Sequence, residues 1–354
     1  PPFLTSYCSR AAHALQDGVG FDIINRNVKA QESAAQFDMQ KGNTMNQKHK
    51  TSIGGQALYE GVMMRGPKNY AIALRLPDGS IETTVHPNKS LKDRVRILKL
   101  PVLRGMVGLI ESLVLGYKTL TYSFEKAGFE EEEPTKFELW LSKTFGKSVM
   151  QIVTVFAGIL GVLLALMLFM LLPSLAVKLI SGYLPDWSYT LAEGVIKIAI
   201  FLAYVALVSH MEEIRRTFEY HGAEHKTIFC YENGLDLTVE NVRGMSRFHP
   251  RCGTSFLLIA MIVSILFFSL PIVPWDNVLL RMATKLVLLP VVVGVAYEFI
   301  HLAGKYDNIF TRALSAPGLW LQRLTTKEPD DSQMEVAIAS MLPVLTGNPE
   351  DDKW

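Results

Sequence analysis

The chain has 354 residues, of which 49% are hydrophobic and 19% charged, with a formal net charge of +1. That composition is too apolar for an ordinary soluble enzyme, and the near-neutral balance gives a nucleic acid no electropositive face to bind. Three cysteines, Cys8, Cys230 and Cys252, are too few for a disulfide scaffold.

Charge is segregated along the chain. Residues 1–44 show no sustained period and no secretory pattern of basic start, apolar run and small-residue cleavage site, so they read as a leader dispensable for folding. From Met45 to 147 the sequence predicts a small cytoplasmic α+β region. In it, two strand-like runs flank the turn Pro77-Asp78-Gly79-Ser80, which predicts a hairpin. Next, LPVLRGMVGLIESLVLGYKTLTYS repeats apolar residues on one helical face but carries Arg104 and Glu111. It reads as an amphipathic interfacial or buried helix, with a membrane span as the alternative. Glu130–Glu133 forms a charged linker.

Residues 148–305 carry four apolar runs of nearly the roughly 20 residues that cross a bilayer. They lie at about Val149–Leu172, Leu191–Val208, Ser255–Val273 and Leu286–Leu302. The fold class is therefore an α-helical polytopic membrane protein, with about four transmembrane helices and the N-terminal α+β region. Lys and Arg concentrate before the first run, in the 210–253 loop and after the fourth run. By the positive-inside rule both termini and that loop are cytoplasmic, as in a multi-pass protein of the bacterial inner membrane. The lipid bilayer is then an implied partner, and nucleic acid is not. Residues 306–354 read as a cytoplasmic tail, in which QMEVAIASMLPVL forms a short helix after Asp330, Asp331 and Ser332.

The loop beyond the second run reads as continuing helix up to Asn233-Gly234. Residues three and four apart share a helical face, so His221, Glu224 and His225 point together. This His-x-x-Glu-His spacing suits a divalent metal, most simply Zn²⁺, with two imidazole ligands and Glu224 as general base. The bland alternative is a set of polar groups satisfying a helix end or an ion-pair network. Cys230, His249, Cys252, Glu298 and His301 are candidates for a further ligand, with His249 and Cys252 preferred. Cys252 precedes a helix start, where the macrodipole favours a thiolate. Glu298 and His301, three apart, also fit a carboxylate-rich dinuclear site with His210, Glu212 and Glu213, or a simple helix anchor. The glycine-bracketed segment 54–67, with Tyr59, Glu60, Arg65 and Gly66, fits no phosphate or dinucleotide fingerprint. It is a candidate cover for the helical site or a surface for a membrane or cytoplasmic protein partner.

The segments GGQALYEGVMMRGP at 54–67, YHGAEHK at 220–226 and FHPRCGTSF at 248–256 together resemble the YqhQ-like family of bacterial membrane proteins. The resemblance runs from about Ser52 to the EPDD segment near 328. It implies a domain of unknown function with predicted metal dependence, and no substrate or reaction. Three functions stay open. They are a membrane metal-dependent hydrolase, a non-catalytic scaffold or biogenesis factor that depends on 54–67 but tolerates change at His221, Glu224 and His225, and a transporter. Four spans with few interior charges and no inverted repeat make a poor transport path. The charge asymmetry predicts that reporter fusions near Tyr183 and Asp276 report an external location; a cytoplasmic signal at either overturns the orientation.

Overall fold

The computed structural model describes residues 48–128 and 148–353, apart from 271, 272, 276, 307 and 349. The expected leader, Cys8 and the Glu130–Glu133 linker lie outside the described residues.

Strands β1 (Gly54–Leu58), β2 (Gly61–Arg65), β3 (Asn69–Arg75) and β4 (Ile81–Pro87) form an antiparallel meander in chain order. The expected hairpin is the β3–β4 pair, with Arg75 opposite Ile81. Its turn closes because Asp78 Oδ1 accepts from the Ser80 amide at 2.9 Å and Gly79 adopts φ +83°, a conformation natural to glycine. Alternation puts Val62, Met64, Ala71 and Ala73 on one face and Met63, Ile72 and Leu74 on the other, both buried.

A single helical turn, α1 (Leu91–Arg94), leads to α2 (Leu103–Lys126). Helix α2 covers the Met63 face of the sheet through Leu115, Leu120 and Tyr122, while Ile110, Leu113, Val114 and Tyr117 stay exposed. It is thus amphipathic, and it is absent from the set of helices long and apolar enough to cross a membrane.

Among the described residues, three helical stretches do meet that criterion: Gly158–Tyr183, Asp186–Val208 and Val278–Lys305. The first belongs to α3 (Ser148–Leu166), a π-helical turn at Met167–Leu171, and α4 (Leu172–Ile180). The wider turn sits just before Pro173, whose ring cannot follow an ordinary α-turn without meeting a carbonyl. The second contains α5 (Tyr189–Val208), and the third is α9 (Val278–Lys305). The expected run from Ser255 becomes α8 (Gly253–Phe268), an apolar helix of 16 residues that stops earlier than the sequence suggested.

The helix expected to continue past α5 instead breaks at Ser209–Met211 before α6 (Glu212–Glu232) begins. Ser209 Oγ turns back to the Ala206 carbonyl at 2.7 Å, and Met211 is extended. A short α7 (Val239–Arg243) follows, and α6 ends at Asn233-Gly234 as expected. The 306–354 segment is more than a tail. Helix α10 (Ile309–Thr325) starts in an Asn308–Thr311 capping box and buries Leu321 against Leu258 and Val205, despite Pro317 in its interior. Helix α11 (Asp331–Met341), capped by Asp330, packs with α6 on the sheet's Val62 face.

Among the apolar helices, Glu193 on α5 meets Arg281 at 2.6 Å and also Lys285, both on α9, while Ser174 on α4 donates to it at 2.7 Å. Arg281 and Lys285 are 1% and 0% exposed, so the carboxylate is what lets these two cations be buried. Glu193→Ala should cost about 3–5 kcal/mol, because it strands both cations in an apolar bundle. Thermal unfolding of the detergent-solubilised protein measures this; an unchanged midpoint would show that the cluster does not join α5 to α9.

Candidate functional site

Helix α6 is polar by sequence, yet Glu224, His225, Lys226 and Thr227 are buried. It lies between β1 on one side and the 247–252 and 325–329 segments on the other. Gly222 admits the latter, since a Cβ there would stand 3.3 Å from Pro329 Cδ and overlap the Lys327 carbonyl. The Lys327 amide in turn donates to the Phe218 carbonyl at 2.8 Å.

The two imidazoles are oriented in the same way. His221 Nδ1 bonds the Thr325 carbonyl at 2.8 Å, and His225 Nδ1 bonds the Arg247 carbonyl at 2.6 Å. A carbonyl can only accept, so each Nδ1 carries a proton and each Nε2 is the ring nitrogen turned away from the backbone, the one placed to meet a ligand. Their rings lie 4.4 Å apart, and His221 Nε2 is 3.2 Å from Cys252 Sγ. Cys252 caps α8, its sulfur accepting from the Thr254 amide at 3.4 Å, so it sits at a helix N-terminus. The ligand atoms of His221, His225 and Cys252 all lie within 4.8 Å of one another, the one such triplet among the described residues.

Burial opposes a charge on His221, but the Cys252 sulfur and Glu224 hold its pKa up at about 9. Burial likewise opposes a thiolate at Cys252, and His221 and His225 overcome it, holding the thiol well below its usual value. Glu224 is raised above the ordinary carboxylate range by burial, against the pull of both histidines, and accepts from the Gly55 amide. Glu224, the triplet and residues 52–57 line a cavity of about 340 Å³, closed on one side by β1.

The 54–67 segment therefore supplies β1 and β2, and part of it covers the helical site. The β1–β2 turn also clamps α6: Glu60, at φ +51°, pairs with Arg216 at 2.6 Å and accepts from Tyr220 at 3.1 Å. The ion pair and the hydrogen bond offset the strain of a left-handed non-glycine residue. Arg65 joins Asn88 at 3.0 Å and Glu111 at 3.5 Å.

The other sequence candidates do not join the triplet. His249 lies beside it, its ring 5.6 Å from that of His225, but its Nε2 faces Glu232 at 3.4 Å, and burial drives its pKa down to about 4. Gln322 fixes its backbone on both sides at 2.7 Å, and Arg251 completes an ion pair with Glu232. Cys230 is sealed in the core under the sheet, 3.4 Å from the Asp236 carbonyl, with its thiol pKa raised by burial to about 11. Glu298 is bound to Arg104 at 2.5 and 2.8 Å and to the Val102 amide at 3.2 Å, so it anchors α9 to the start of α2. His301 stacks on Tyr297, and His210 bonds the Ala206 carbonyl at 2.7 Å at the α5–α6 break. With Glu212 and Glu213 on the first turn of α6, these groups form no dinuclear cluster among the described residues.

The features missed in the sequence are the carbonyls of Arg247 and Thr325, the Gln322 brace and the Gly55 amide. Three are backbone groups, which carry no side-chain signature. Gln322 had one available signal, a polar residue facing inward on the apolar face of α10.

These features define a class: a helical protein with membrane-length apolar helices, in which a polar helix, covered by a small antiparallel sheet, presents a His-His-Cys triplet. The chain belongs to the family described as a protein of unknown function, DUF1385, which matches residues 100–346. It is 40% identical over 305 residues to the uncharacterized protein YqhQ of Bacillus subtilis (strain 168), covering 84% of this chain and 94% of that protein. No solved structure matches the chain.

The contact of β1 with the site gives a matched pair of variants. A Cβ at Gly55 would lie 2.7 Å from the Met63 carbonyl and 2.9 Å from Glu224 Cδ, whereas one at Gly54 meets nothing within 4 Å. Gly55→Ala should destabilise by about 1–3 kcal/mol, while Gly54→Ala should be near neutral. Equal thermal midpoints for the two variants would show that β1 does not press on Glu224.

Proposed function

We propose that this is a multi-pass inner-membrane, metal-dependent hydrolase whose site is formed by His221, His225, Cys252 and Glu224 on the cytoplasmic side. The observation that carries the reading is the shared orientation of the two imidazoles. Each Nδ1–H is tied to a backbone carbonyl, which is the outer-shell arrangement that leaves Nε2 free to coordinate and fixes where it points. Two imidazole nitrogens and a sulfur held as thiolate make a three-donor set of the type used by catalytic zinc, which keeps its fourth position for water. The donor set therefore fits Zn²⁺, with Cys252 favoured over His249 as the third ligand.

When bound, the ion supplies Lewis acidity and activates a water. The rest belongs to the chain. Glu224, raised by burial and steered by the Gly55 amide, accepts the proton of that water and returns it to the leaving group. β1 and the 247–252 segment restrict the cavity, which strengthens the electrostatic interactions inside. The fourth span is α8, whose 16 residues reach about 24 Å and cross with the help of its flanking turns.

One observation favours a second reading. A thiolate at a helix N-terminus, 3.2 Å from an imidazole of raised pKa, is also the arrangement of a nucleophilic cysteine with its histidine partner.

Elemental analysis of the purified protein separates the two. The metal reading expects about one zinc per chain, lost in His221→Ala and His225→Ala, because ligands and fold are linked. Glu224→Gln keeps the zinc and abolishes turnover of a panel of ester, amide and phosphoester substrates. Protein without stoichiometric metal, in which iodoacetamide rapidly alkylates Cys252, overturns the metal reading in favour of the thiol nucleophile.

A further inference from the structure

β1 is an edge strand of the sheet, and it walls the cavity that holds the His-Cys triplet. The phase of its pairing fixes which main-chain groups turn outward. Leu58 stands opposite Gly61 across a two-residue turn, and the Glu60 carbonyl accepts from the Arg75 amide at 2.8 Å. The even positions of β2 therefore bond β3 and the odd ones bond β1. Gly54, Gln56 and Leu58 pair with β2, which leaves Gly55 and Ala57 directing N–H and C=O away from the sheet.

Side chains already hold part of this line. The Thr51 amide donates to Glu232 at 2.9 Å, the Thr51 carbonyl accepts from Arg251 at 2.7 Å, and the Gly55 amide serves Glu224. The Gly55 carbonyl and both main-chain groups of Ala57 have no hydrogen-bond partner among the described residues. An edge with free main-chain groups is a template for another strand. The space beside it is elongated: residues 52–57 form one wall and Thr217 to Ile228 of α6 another, each about 17 Å long. Gly54 and Gly55 carry no side chain to hold an approaching main chain off.

We infer that an extended polypeptide segment binds in this slot as a strand added to the edge of β1. A guest residue opposite Ala57 exchanges both main-chain hydrogen bonds with it. The guest residue opposite Gly55 donates to the Gly55 carbonyl but finds the Gly55 amide held by Glu224. Its own carbonyl is thus left beside that carboxyl and the triplet. Peptides are then the substrate class of the site, a step that rests on the hydrolase reading, whereas the binding does not. Water adds to that carbonyl carbon and the C–N bond breaks. One water proton passes through Glu224 to the departing nitrogen, and the other stays with the new carboxyl group.

The test uses the full chain in detergent micelles. Its probes are a fluorescein-labelled heptapeptide of alternating valine and serine, blocked at both ends, and the same peptide N-methylated at every main-chain amide. Fluorescence anisotropy should show the unmodified peptide binding saturably and at least about tenfold more tightly, because methylation removes its donors and keeps its side chains. Ala57→Pro deletes an outward N–H without touching the ladder to β2, and should weaken the unmodified peptide by a similar factor. The methylated peptide probes the same bonds on wild-type protein, so the result does not depend on the stability of that variant. Equal binding of the two peptides, or binding of neither, overturns the proposal. Cleavage of the unmodified peptide that is lost in Glu224→Gln, with binding retained, supports both steps. Methylation-sensitive binding by protein that holds no zinc and cleaves nothing sinks the hydrolase reading and leaves the strand site standing. Stoichiometric zinc with turnover of esters or phosphoesters, and no peptide binding, does the reverse.

Discussion

Most of the structure around the site follows from one constraint, the burial of a polar helix. Helix α6 carries Glu224, His225 and Lys226 in succession, and they are 5%, 2% and 3% exposed. Buried polar groups need partners, and while Thr227 finds one in its own helix, at the Ala223 carbonyl at 2.8 Å, these three do not. Their partners come from remote segments. The Gly55 amide serves Glu224, the Arg247 carbonyl serves His225, and Glu328 with the Arg243 carbonyl serves Lys226. The sheet, the 247–252 loop and the segment after α10 are therefore held against α6 by the groups that would otherwise be unsatisfied.

The same demand explains the close backbone approaches. Gly55 lets β1 reach the Glu224 carboxyl, and Gly222 lets the 325–329 segment cross α6 near His221. Elsewhere the chain accepts strain for a similar end. Val102 adopts φ +68°, unusual for a β-branched residue, and its amide is held by Glu298, which also grips Arg104. A residue that looked like a metal ligand in sequence thus sets the angle at which α2 meets α9.

What the sequence revealed was local. The β3–β4 hairpin is written in the Asp78 side chain and Gly79, and the end of α6 in Asn233-Gly234, within a few residues of where each acts. The shared face of His221, Glu224 and His225 needs only helical periodicity. Cys252 was legible because a thiol beside a helix start has a physical consequence wherever the helix goes. What stayed hidden acts over long separations or through the main chain. Glu60 and Arg216 meet across 156 positions, and Gln322 braces His249 across 73. Helix α10 was obscured by Pro317, and the extent of α8 by apolar residues that continue past its end. Packing of Leu321 against Leu258 and Val205 decided the first, whereas α8 ends on a local signal, Ser269, whose hydroxyl bonds the Ile265 carbonyl at 2.7 Å two positions before Pro271 in the sequence.

The partners of the triplet are also ordered along the chain, and that order dictates when the site can exist. The histidines arrive with α6, Cys252 and the Arg247 carbonyl about 30 residues later, and the Thr325 carbonyl about 100 residues after the first histidine. A chain emerging at about 5–20 residues per second leaves His221 without its orienting acceptor for several seconds. By then α8 and α9 have both been synthesised, since both precede Thr325. The triplet is therefore a late product of chain synthesis: a stalled or truncated chain that has made α6 holds the ligands in sequence but not in register.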